Sequence, residues 1–496
     1  MKQIQIHPKD NVAVALEDMP GIPAGHKIAL NDIAEGKLVI KYGSPIGHAI
    51  RNIKKGEHID HNDIHTNLNQ PVPRKASSAT TSVTPALQSD THESKWSTQI
   101  HNGLFFLRPD GQVGIRNELW VIPTVGCVNG IVRRIVERVK AEVFREGEGV
   151  DAVIAFTHNY GCSQLGDDHE NTRRILRDMV HHPNAGGILV VGLGCENNQP
   201  HEFERFCGEY DHERVRFMTS QEVDGDEVEY GVRLLSELYR QACRFQRTKQ
   251  PLSKLRIGLK CGGSDGLSGI TANPLLGRFS DWLCLSQMGT TVLTEVPEMF
   301  GTEHLLEAQC STPEIKRQTS EMIENFKQYF RKHGEPISEN PSPGNKAGGI
   351  STLEEKALGC TQKAGTSPIR GVLPYSERIP KDGYGLHLLS APGNDLVAST
   401  ALAAAGCQLV LFTTGRGTPF STFVPTLKVS TNSQLAKAKP HWIDFDAGTL
   451  IEGESMDDLT ERFKSVVLGV CNGELRTASE QRGYAEIAIF KNGVTL

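Results

Sequence analysis

The chain has 496 residues, of which 38 % are hydrophobic and 23 % are charged, and its formal net charge is −6. This length predicts two or three domains, and the composition is typical of soluble globular enzymes rather than of disordered or membrane proteins. Acidic and basic residues are interspersed, so there is no basic stripe that would bind nucleic acid.

The start of the chain, MKQIQIHPKD, lacks the apolar core of a secretory signal, which predicts a cytoplasmic protein. No apolar run approaches the roughly 20 residues that cross a bilayer, so we predict no membrane partner. The eleven cysteines are odd in number and widely spread, unlike those of a secreted disulfide framework. We interpret them as reduced thiols, some of which are metal ligands.

Residues 1–68 alternate short β-type runs with glycine turns, which predicts a small all-β domain. The runs are Asn11 to Leu16, Lys27 to Leu30, Leu38 to Tyr42 and Ile46 to Ile50. Residues 69–98 are rich in Ser, Thr and Pro and poor in aliphatic residues, so they cannot bury enough apolar surface to fold alone. We predict a flexible linker there.

From residue 99 onward, apolar β-type runs alternate with amphipathic helical segments, which predicts an α/β fold with mainly parallel sheets. Two blocks are distinguished, at 99–250 and 251–496. The predicted helices lie at Ile131 to Phe144, Glu227 to Arg247, Pro313 to His333, Asp395 to Ala405 and Asp457 to Cys471, with another starting at Glu170. The proline- and glycine-rich residues 341–349 are predicted to form an irregular loop or lid.

Three cysteines of the first block follow the apolar runs LWVIPTVGC, DAVIAFTHNYGC and GILVVGLGC. They are Cys127, Cys162 and Cys195, each directly after a glycine. In parallel α/β sheets, ligands bind at the carboxyl ends of the strands, so these thiolates could meet around iron or zinc. The alternative is that each cysteine is only a small residue at a tight turn. His158 directly follows a strand and is predicted to be catalytic.

The second block places further polar residues after its apolar runs. The segment KCGGSDG contains Lys260, Ser264 and Asp265, whose backbone and charges could hold an anionic group. Its glycine spacing matches neither common nucleotide-binding motif, so no nucleotide cofactor is predicted. Glu295 and Glu298 follow the next run, where one carboxylate could be a base or a metal ligand, although a solvated loop charge is the simpler reading.

Two more predicted loops each contain one cationic side chain with glycines on both sides of it. GCTQKAG contains Cys360 and Lys363, and GRGT contains Arg416. Arginine suits bidentate binding of a carboxylate, whereas the alternative for Arg416 is a surface ion pair.

Together these stretches resemble the altronate dehydratase family, which also includes galactarate dehydratase and a sulfolactate lyase subunit. The likeness covers nearly the whole chain and depends on long blocks: VGIRNELWVIPTVGCVNGI, YGCSQLGDDHENTR, VVGLGCENNQ, CGGSDGLSGITANPLLGRFSD, GTTVLTEVPEMFG, NPSPGNKAGGISTLEEKALGCTQKAG, SAPGNDLVAST, TTGRGTP and HWIDFDAG. Blocks of this length are far more specific than any single motif.

The resemblance implies an N-terminal β-clip domain of the SAF type at 1–68, the linker at 69–98, a middle α/β domain at 99–250 that forms a homodimer, and a C-terminal Rossmann-like domain at 251–496. It implies Fe²⁺ as cofactor, with Mn²⁺ as a substitute. The implied reaction is dehydration of D-altronate to 2-dehydro-3-deoxy-D-gluconate in hexuronate catabolism. Alternatives are dehydration of galactarate or another sugar acid, a nicotinamide dehydrogenase, and a sugar-acid-binding protein without chemistry.

The predicted site is therefore composed of three groups of residues. The catalytic group, which supplies general acid and base, is His26, His158 and Lys363. The substrate-binding group is Lys27, Arg116, Asn117, Lys260, Ser264, Asp265 and Arg416. The metal-ligand group is Cys127, Cys162, Cys195, Glu295 and Cys360.

Overall fold

A computed structural model describes residues 2–68 and 100–496 of the chain. The strands are β1 Gln3–Ile4, β2 Val12–Ala15, β3 Lys27–Ala29, β4 Leu38–Lys41, β5 Ser44–Ala49, β6 His58–Ile59, β7 Ile64–His65, β8 Asn102–Leu107, β9 Val113–Gly114, β10 Glu118–Pro123, β11 Val153–Ala155, β12 Ala185–Gly192, β13 Val215–Thr219, β14 Arg247–Pro251, β15 Arg256–Cys261, β16 Thr290–Leu293, β17 Ile369–Leu373, β18 Gly385–Leu389, β19 Leu409–Thr414, β20 Thr426–Ser430 and β21 Phe445–Asp446. The predicted linker at 69–98 lies outside the described residues.

The α-helices lie between these strands and after the last of them. They are α1 Asn129–Glu142, α2 Gly166–Val180, α3 Pro200–Cys207, α4 Glu227–Ala242, α5 Ala272–Asp281, α6 Glu303–Gln309, α7 Pro313–Lys332, α8 Pro343–Ala347, α9 Leu353–Thr361, α10 Asp395–Ala404, α11 Ser433–Ala438, α12 Met456–Asn472 and α13 Ala478–Gln481. The predicted α/β class is confirmed. No helix in the described ranges is both long enough and apolar enough to cross a bilayer.

The N-terminal domain consists of two small antiparallel sheets, β1-β2-β3-β6 and β4-β5-β7. Strands β2 to β5 coincide with the four predicted β-type runs. Apolar side chains from both sheets, including Val39, Ile46 and Ile59, form a core that also contacts Leu358 of α9. The small domain is therefore packed directly onto the C-terminal domain.

The middle domain has a parallel sheet with strand order β11-β10-β12-β13. Helices α1 and α4 cover one face of this sheet, and α2 and α3 cover the other. The second face is shared, because α10 of the C-terminal domain packs into the same apolar cluster as α2. Because the strands are parallel, their carboxyl ends all meet at one edge.

The C-terminal domain has a seven-stranded sheet in the order β17-β18-β16-β15-β19-β20-β21, and all of its pairs are parallel. Helices α5, α7 and α12 contribute to the core on one face, and α10 packs on the other. β15 is at the centre of the sheet. The loops after β15, β16, β18 and β19 therefore converge at one edge.

Three predicted elements differ from the structure. Helix α4 ends at Ala242 rather than at Arg247, because the chain turns there and β14 pairs with β8. Helix α2 begins at Gly166 rather than Glu170, so two aspartates of the loop lie in its first turn. The predicted irregular loop at 341–349 contains α8, because Ser342 and Asn345 form a capping box that stabilises one helical turn.

His182, at the interface of the middle and C-terminal domains, predicts a pH-dependent stability. Its Nε2 lies 3.2 Å from the Cys407 carbonyl oxygen, and its Nδ1 accepts a hydrogen bond from the Asn184 N–H. The ring stacks on Trp120. Burial, assisted by the charge of Arg378, lowers the pKa of His182 to about 3.

Between about pH 6.5 and the lowered pKa of His182, the unfolded chain binds a proton that the folded chain does not. The free energy of unfolding should therefore fall by about 1.4 kcal/mol per pH unit on acidification through this range. His182→Gln cannot titrate and should show a slope that is shallower by this amount. Urea unfolding of both proteins at a series of pH values from about 7 to about 5 measures the difference; equal slopes would contradict the prediction.

Candidate functional site

Two thiols and a carboxylate meet at the carboxyl edge of the seven-stranded sheet. Cys261 ends β15, Glu298 follows β16, and Cys360 lies in the last turn of α9. The two Sγ atoms are 3.3 Å apart, and Glu298 Oε2 lies 3.1 Å from Sγ of Cys261 and 3.0 Å from Sγ of Cys360. All three side chains are buried. Nonadjacent segments therefore build one compact group of donor atoms.

Three buried lysines surround these atoms. Lys363 Nζ lies 2.7 Å from Cys261 Sγ and 2.9 Å from Glu295 Oε2. Lys260 Nζ contacts Glu295 and lies 3.0 Å from Asp395 Oδ1. Lys356 pairs with Glu298 at 2.7 Å. The cations and anions are thus interleaved in one continuous cluster.

Backbone geometry aims Glu295 into this cluster. Its φ of 73° lies in the left-handed region, which is uncommon for a residue other than glycine. The turn lets both carboxylate oxygens face the end of β15, where Oε2 accepts a hydrogen bond from the Cys261 N–H at 3.0 Å. Such conformations cost about 1–3 kcal/mol and concentrate at functional sites.

Opposite charges nearby favour the ionised forms of Lys363 and Glu298. Burial alone would lower the pKa of Lys363, but the neighbouring Cys261 and Glu295 outweigh it and raise the pKa well above its usual value. Burial would raise the pKa of Glu298, but Lys356 and the other two lysines outweigh it and lower the pKa. The site therefore contains a cationic lysine beside an anionic carboxylate.

Solvent reaches the cluster at one side. The Asp395 side chain is 34 % exposed, whereas the Lys260 and Glu295 side chains with which it clusters are at most 1 % exposed. Arg416 is exposed and lies beside Gly263, so a cation borders the same opening. The hydroxyl of Ser264 is buried and has no hydrogen-bond partner among the described residues. These groups are available to a bound molecule.

The N-terminal domain closes the other side. Glu355 of α9 pairs with Lys27 at 2.9 Å and with Lys41 at 2.7 Å, and all three side chains are at most 1 % exposed. His26 Nδ1 lies 2.8 Å from His58 Nε2, and His26 Nε2 lies 3.3 Å from the Ala347 carbonyl oxygen. The cluster is therefore at a junction between two domains.

The structure brings several predicted residues together at this edge. Those in or beside the cluster are Lys260, Ser264, Asp265, Glu295, Cys360, Lys363 and Arg416. The carboxylate of Asp265 accepts hydrogen bonds from Thr431 and Ser268, which hold the conformation of its loop, and its substrate-binding role stays a prediction. His26 lies at the domain junction, and its catalytic role stays a prediction.

Three residues predicted to bind substrate make their contacts within the protein, and their substrate-binding role stays a prediction. Lys27 is fully buried, and its Nζ donates to the Gly349 carbonyl oxygen as well as pairing with Glu355. Arg116 is buried and pairs with Glu480, and Asn117 is buried with its amide donating to backbone carbonyls. Arg116 and Asn117 also precede β10, at the amino edge of the middle sheet. Their hydrogen-bonding groups are occupied by the protein itself.

His158 also lies outside the cluster, in the middle domain. Its Nε2 lies 2.8 Å from the Pro123 carbonyl oxygen, and its Nδ1 accepts from the Tyr160 N–H at 3.1 Å. Burial lowers the pKa of His158 to about 4. Both ring nitrogens are used in holding neighbouring loops, so the predicted role in acid or base catalysis is not supported by its position.

The predicted metal ligands fall into two separate places. Cys127, Cys162 and Cys195 are exposed at the edge of the middle sheet, whereas Cys360 is in the buried cluster. Glu295 is in that cluster but pairs with lysines, and Glu298 is the carboxylate that contacts both thiols. The sequence prediction assigned all of these residues to one metal site because each of them follows a strand or a glycine. The structure separates them into two sites.

The donor set of the buried cluster fits a divalent transition metal. Cys261, Glu298 and Cys360 are the only group of three potential ligands, within the described ranges, whose ligand atoms all lie within 4.8 Å of one another. Two soft sulfurs and one carboxylate oxygen suit Fe²⁺ better than Mn²⁺, which prefers oxygen ligands. Burial excludes competing water.

Several residues of the site have no assigned role in the sequence prediction. Cys261 carries the same signal as the predicted thiols, since it ends an apolar run and precedes glycines. Asp395 follows the turn APGN after a strand, which is a weaker signal. No sequence signal marks Glu355, Lys356 or His58, because charges within a helix and a histidine in a small β domain are typical of solvated surfaces.

Comparison with known proteins gives matches over all three parts of the chain. Three family models match: the altronate/galactarate dehydratase SAF domain at residues 20–67, the D-galactarate dehydratase/altronate hydrolase second domain at 106–243, and the D-galactarate/altronate dehydratase C-terminal domain at 252–495. The first of these confirms the predicted SAF-type domain.

Full-length relatives agree with these matches. The chain is 52 % identical over 512 residues to altronate dehydratase of Escherichia coli (strain K12), with all of both chains covered. It is 51 % identical over 510 residues to altronate dehydratase of Bacillus subtilis (strain 168), with 99 % of each covered. Galactarate dehydratase (L-threo-forming) of E. coli is 32 % identical over 526 residues, with 98 % of this chain and 96 % of the relative covered.

Proposed function

The chain belongs to the altronate and galactarate dehydratase family, and we propose that it removes water from D-altronate to give 2-dehydro-3-deoxy-D-gluconate. It is a hydro-lyase that acts on a sugar acid. Identity of 52 % to an altronate dehydratase against 32 % to a galactarate dehydratase favours altronate over galactarate. The observation that carries the chemistry is the buried cluster of thiols, carboxylates and lysines beside an opening to solvent.

The reaction requires a site of this kind. The substrate loses the proton on C2 and the hydroxyl on C3, and the resulting enol tautomerises to a 2-keto acid. The C2 proton is weakly acidic, because its removal adds a second negative charge next to the carboxylate. Fixed positive charges in a water-poor site stabilise that charge most effectively.

Lys363 has the properties of the general acid. The C3 hydroxyl leaves as water only if it receives a proton, and Lys363 Nζ carries one because the surrounding anions keep it protonated. Its ammonium is held by Cys261 and Glu295, so its position is fixed. After the transfer, the neutral amine regains a proton from the C2 side of the reaction.

Asp395 has the position of the general base. It is the carboxylate of the cluster that solvent reaches, and Lys260 holds its Oδ1 at 3.0 Å. A substrate entering at this side meets Asp395 before the buried acids. Arg416, on the rim of the opening, is placed to bind the substrate carboxylate with two parallel hydrogen bonds.

Cys261, Glu298 and Cys360 would hold the Fe²⁺ that the family resemblance implies. A divalent ion bound there would supply Lewis-acid stabilisation of the negative charge that develops on the substrate. Mn²⁺ as a substitute is less well supported, since two of the three ligands are sulfur. Lys356 pairs with the second oxygen of Glu298 and keeps that carboxylate oriented toward the thiols.

A product assay tests the proposed reaction. The iron-loaded protein is incubated anaerobically with D-altronate, with its epimers and with galactarate, and 2-keto-3-deoxy acid is measured. We expect D-altronate to give the highest kcat/KM. A higher value with galactarate would favour that substrate. Absence of keto acid with every sugar acid would indicate a binding protein, and a change in nicotinamide absorbance with added NAD would indicate a dehydrogenase.

Cys360→Ser tests the metal assignment. Loss of one thiolate ligand should weaken Fe²⁺ binding to the buried site at least about tenfold. Anaerobic equilibrium dialysis of the variant and the wild type measures this affinity. Cys284→Ser is the matched control, because Cys284 is a buried cysteine of the same domain that contacts Thr291 rather than the cluster. Equal affinity of C360S and wild type would reject the assignment.

We also propose that the protein is a cytoplasmic homodimer that acts in hexuronate catabolism. Its exposed thiols suit a reducing compartment, and the family resemblance implies dimerisation through the middle domain. Light scattering of the purified protein after size exclusion measures the oligomeric state.

A further inference from the structure

Three cysteines of the middle domain differ from the other cysteines of the chain. All eleven are free thiols, and the three that are exposed are Cys127, Cys162 and Cys195. Exposed free thiols are prone to oxidation and are usually avoided on a protein surface. Their grouping at one edge of one sheet therefore requires a reason beyond packing.

The strands bring these cysteines together. Cys127 follows β10, Cys162 follows β11 and Cys195 follows β12, and β10 pairs with both of the others. Neighbouring strands are roughly 4.8 Å apart, so the carboxyl ends of all three lie within about 10 Å. The loops that carry the thiols begin at three adjacent points on one edge.

Hydrogen bonds then tie the three loops to one another beside each cysteine. The Gly126 N–H donates to the Tyr160 carbonyl oxygen at 2.9 Å, which joins the first loop to the second. The Asn198 N–H donates to the Gly161 carbonyl oxygen at 3.0 Å, which joins the third loop to the second. The side-chain amide of Asn198 also donates to the Thr124 carbonyl oxygen at 3.3 Å. These hydrogen bonds hold the three loops next to one another.

The glycine before Cys162 makes the contact between loops possible. Gly161 has a φ of +94°, and a Cβ at this position would lie 2.0 Å from the Thr124 carbonyl oxygen. Any larger residue would push the second loop away from the first. The backbone is therefore shaped to bring the thiol-bearing loops close together.

The spacing of the thiols is too wide for one metal ion. Sulfur atoms bound to a single ion at about 2.3 Å lie no more than about 4.6 Å apart. Cys127, Cys162 and Cys195 do not form a group with all Sγ atoms within 4.8 Å, since the buried cluster alone meets that limit among the described residues. An iron–sulfur cluster is wider, because each thiolate bonds to a different iron.

We propose that Cys127, Cys162 and Cys195 bind an iron–sulfur cluster on the middle domain, separate from the buried site. Each thiol loses its proton on binding iron. Clusters are commonly held by four thiolates, so three would leave one iron free to take a ligand from solvent or a small oxygen-containing molecule. This site does not depend on the identity of the sugar acid.

Cluster binding is tested on the full-length protein. Wild type and variants are incubated anaerobically with iron, sulfide and a thiol reductant and then desalted, and bound iron, acid-labile sulfide and the visible spectrum are measured. We expect labile sulfide in the wild type and only background levels in C127S, C162S and C195S. Cys243→Ser, at a half-buried cysteine of the same domain, and Cys360→Ser should both retain the sulfide.

A second measurement needs no variant. The reconstituted and untreated wild-type proteins are alkylated under native conditions, and each cysteine is quantified by mass spectrometry. Protection of Cys127, Cys162 and Cys195 together supports the cluster. Bound iron without labile sulfide, sulfide retained in all three serine variants, or unchanged alkylation of the three thiols would each overturn the proposal.

Discussion

Replacing Lys363 with methionine is expected to lower kcat by at least about a hundredfold, because the leaving hydroxyl would lose its proton donor. Methionine has a similar length and leaves no large cavity, and Lys260 still pairs with Glu295, so the domain should stay folded. Steady-state formation of 2-keto-3-deoxy acid from D-altronate, at saturating substrate and equal iron content, measures the effect. A kcat within a few fold of wild type would remove Lys363 from the mechanism.

Two further variants separate proton transfer from simple charge. Lys363→Arg keeps a cation but replaces the compact ammonium with a longer, planar guanidinium, so it should remain as slow as K363M if the proton must be delivered from the position of Lys363 Nζ. Substantial recovery in K363R would instead indicate electrostatic stabilisation. Lys428→Met is the matched control, because Lys428 is a buried lysine of the same sheet whose Nζ has no hydrogen-bond partner in the described part of the chain. Its kcat should be close to that of wild type.

Replacing Glu355 with glutamine should destabilise the junction between the N-terminal and C-terminal domains by about 3–5 kcal/mol. The change removes the anion between Lys27 and Lys41, whose ammonium groups are both fully buried. Burial would raise the pKa of Glu355, but these two lysines outweigh it and lower the pKa to about 2, so the carboxylate is ionised at neutral pH. Denaturant unfolding, together with hydrogen exchange of β2 and β3, measures the loss.

A triple variant controls for the buried charge. Replacing Lys27 and Lys41 with methionine and Glu355 with leucine removes the charges together, and such apolar replacements are often neutral or stabilising. This protein should therefore recover most of the stability lost in E355Q. If E355Q were as stable as wild type, the three-residue network would not hold the domains together.

The fold was largely predictable because hydrophobic patterning determines it. Four β-type runs, the parallel strands of both α/β blocks and most helices follow directly from apolar periodicity. The predictions of secondary structure fail where tertiary contacts determine where a helix begins or ends. Helix α4 ends early because β14 pairs with β8, and α8 forms in a segment rich in proline and glycine because Ser342 caps it.

The site was only partly predictable, because sequence position shows which loops converge but not which side chains meet. Lys260, Cys360 and Lys363 were identified from the residues around strand ends and glycines, and the structure brings them together. Helix α9 shows the limit: all nine of its residues are buried, including Glu354, Glu355 and Lys356, although LEEK is typical of a solvated helix. Pairing across domains leaves no periodic signal.

The pairing of Lys27 and Lys41 with Glu355 also has a consequence for biosynthesis. These partners are 328 and 314 residues apart along the chain. At a translation rate of roughly 5–20 residues per second, the nascent N-terminal domain waits roughly 15 to 60 seconds before its acidic partner leaves the ribosome. During that interval two lysines destined for burial must remain hydrated, so the first domain to be made is the last to reach its final packing.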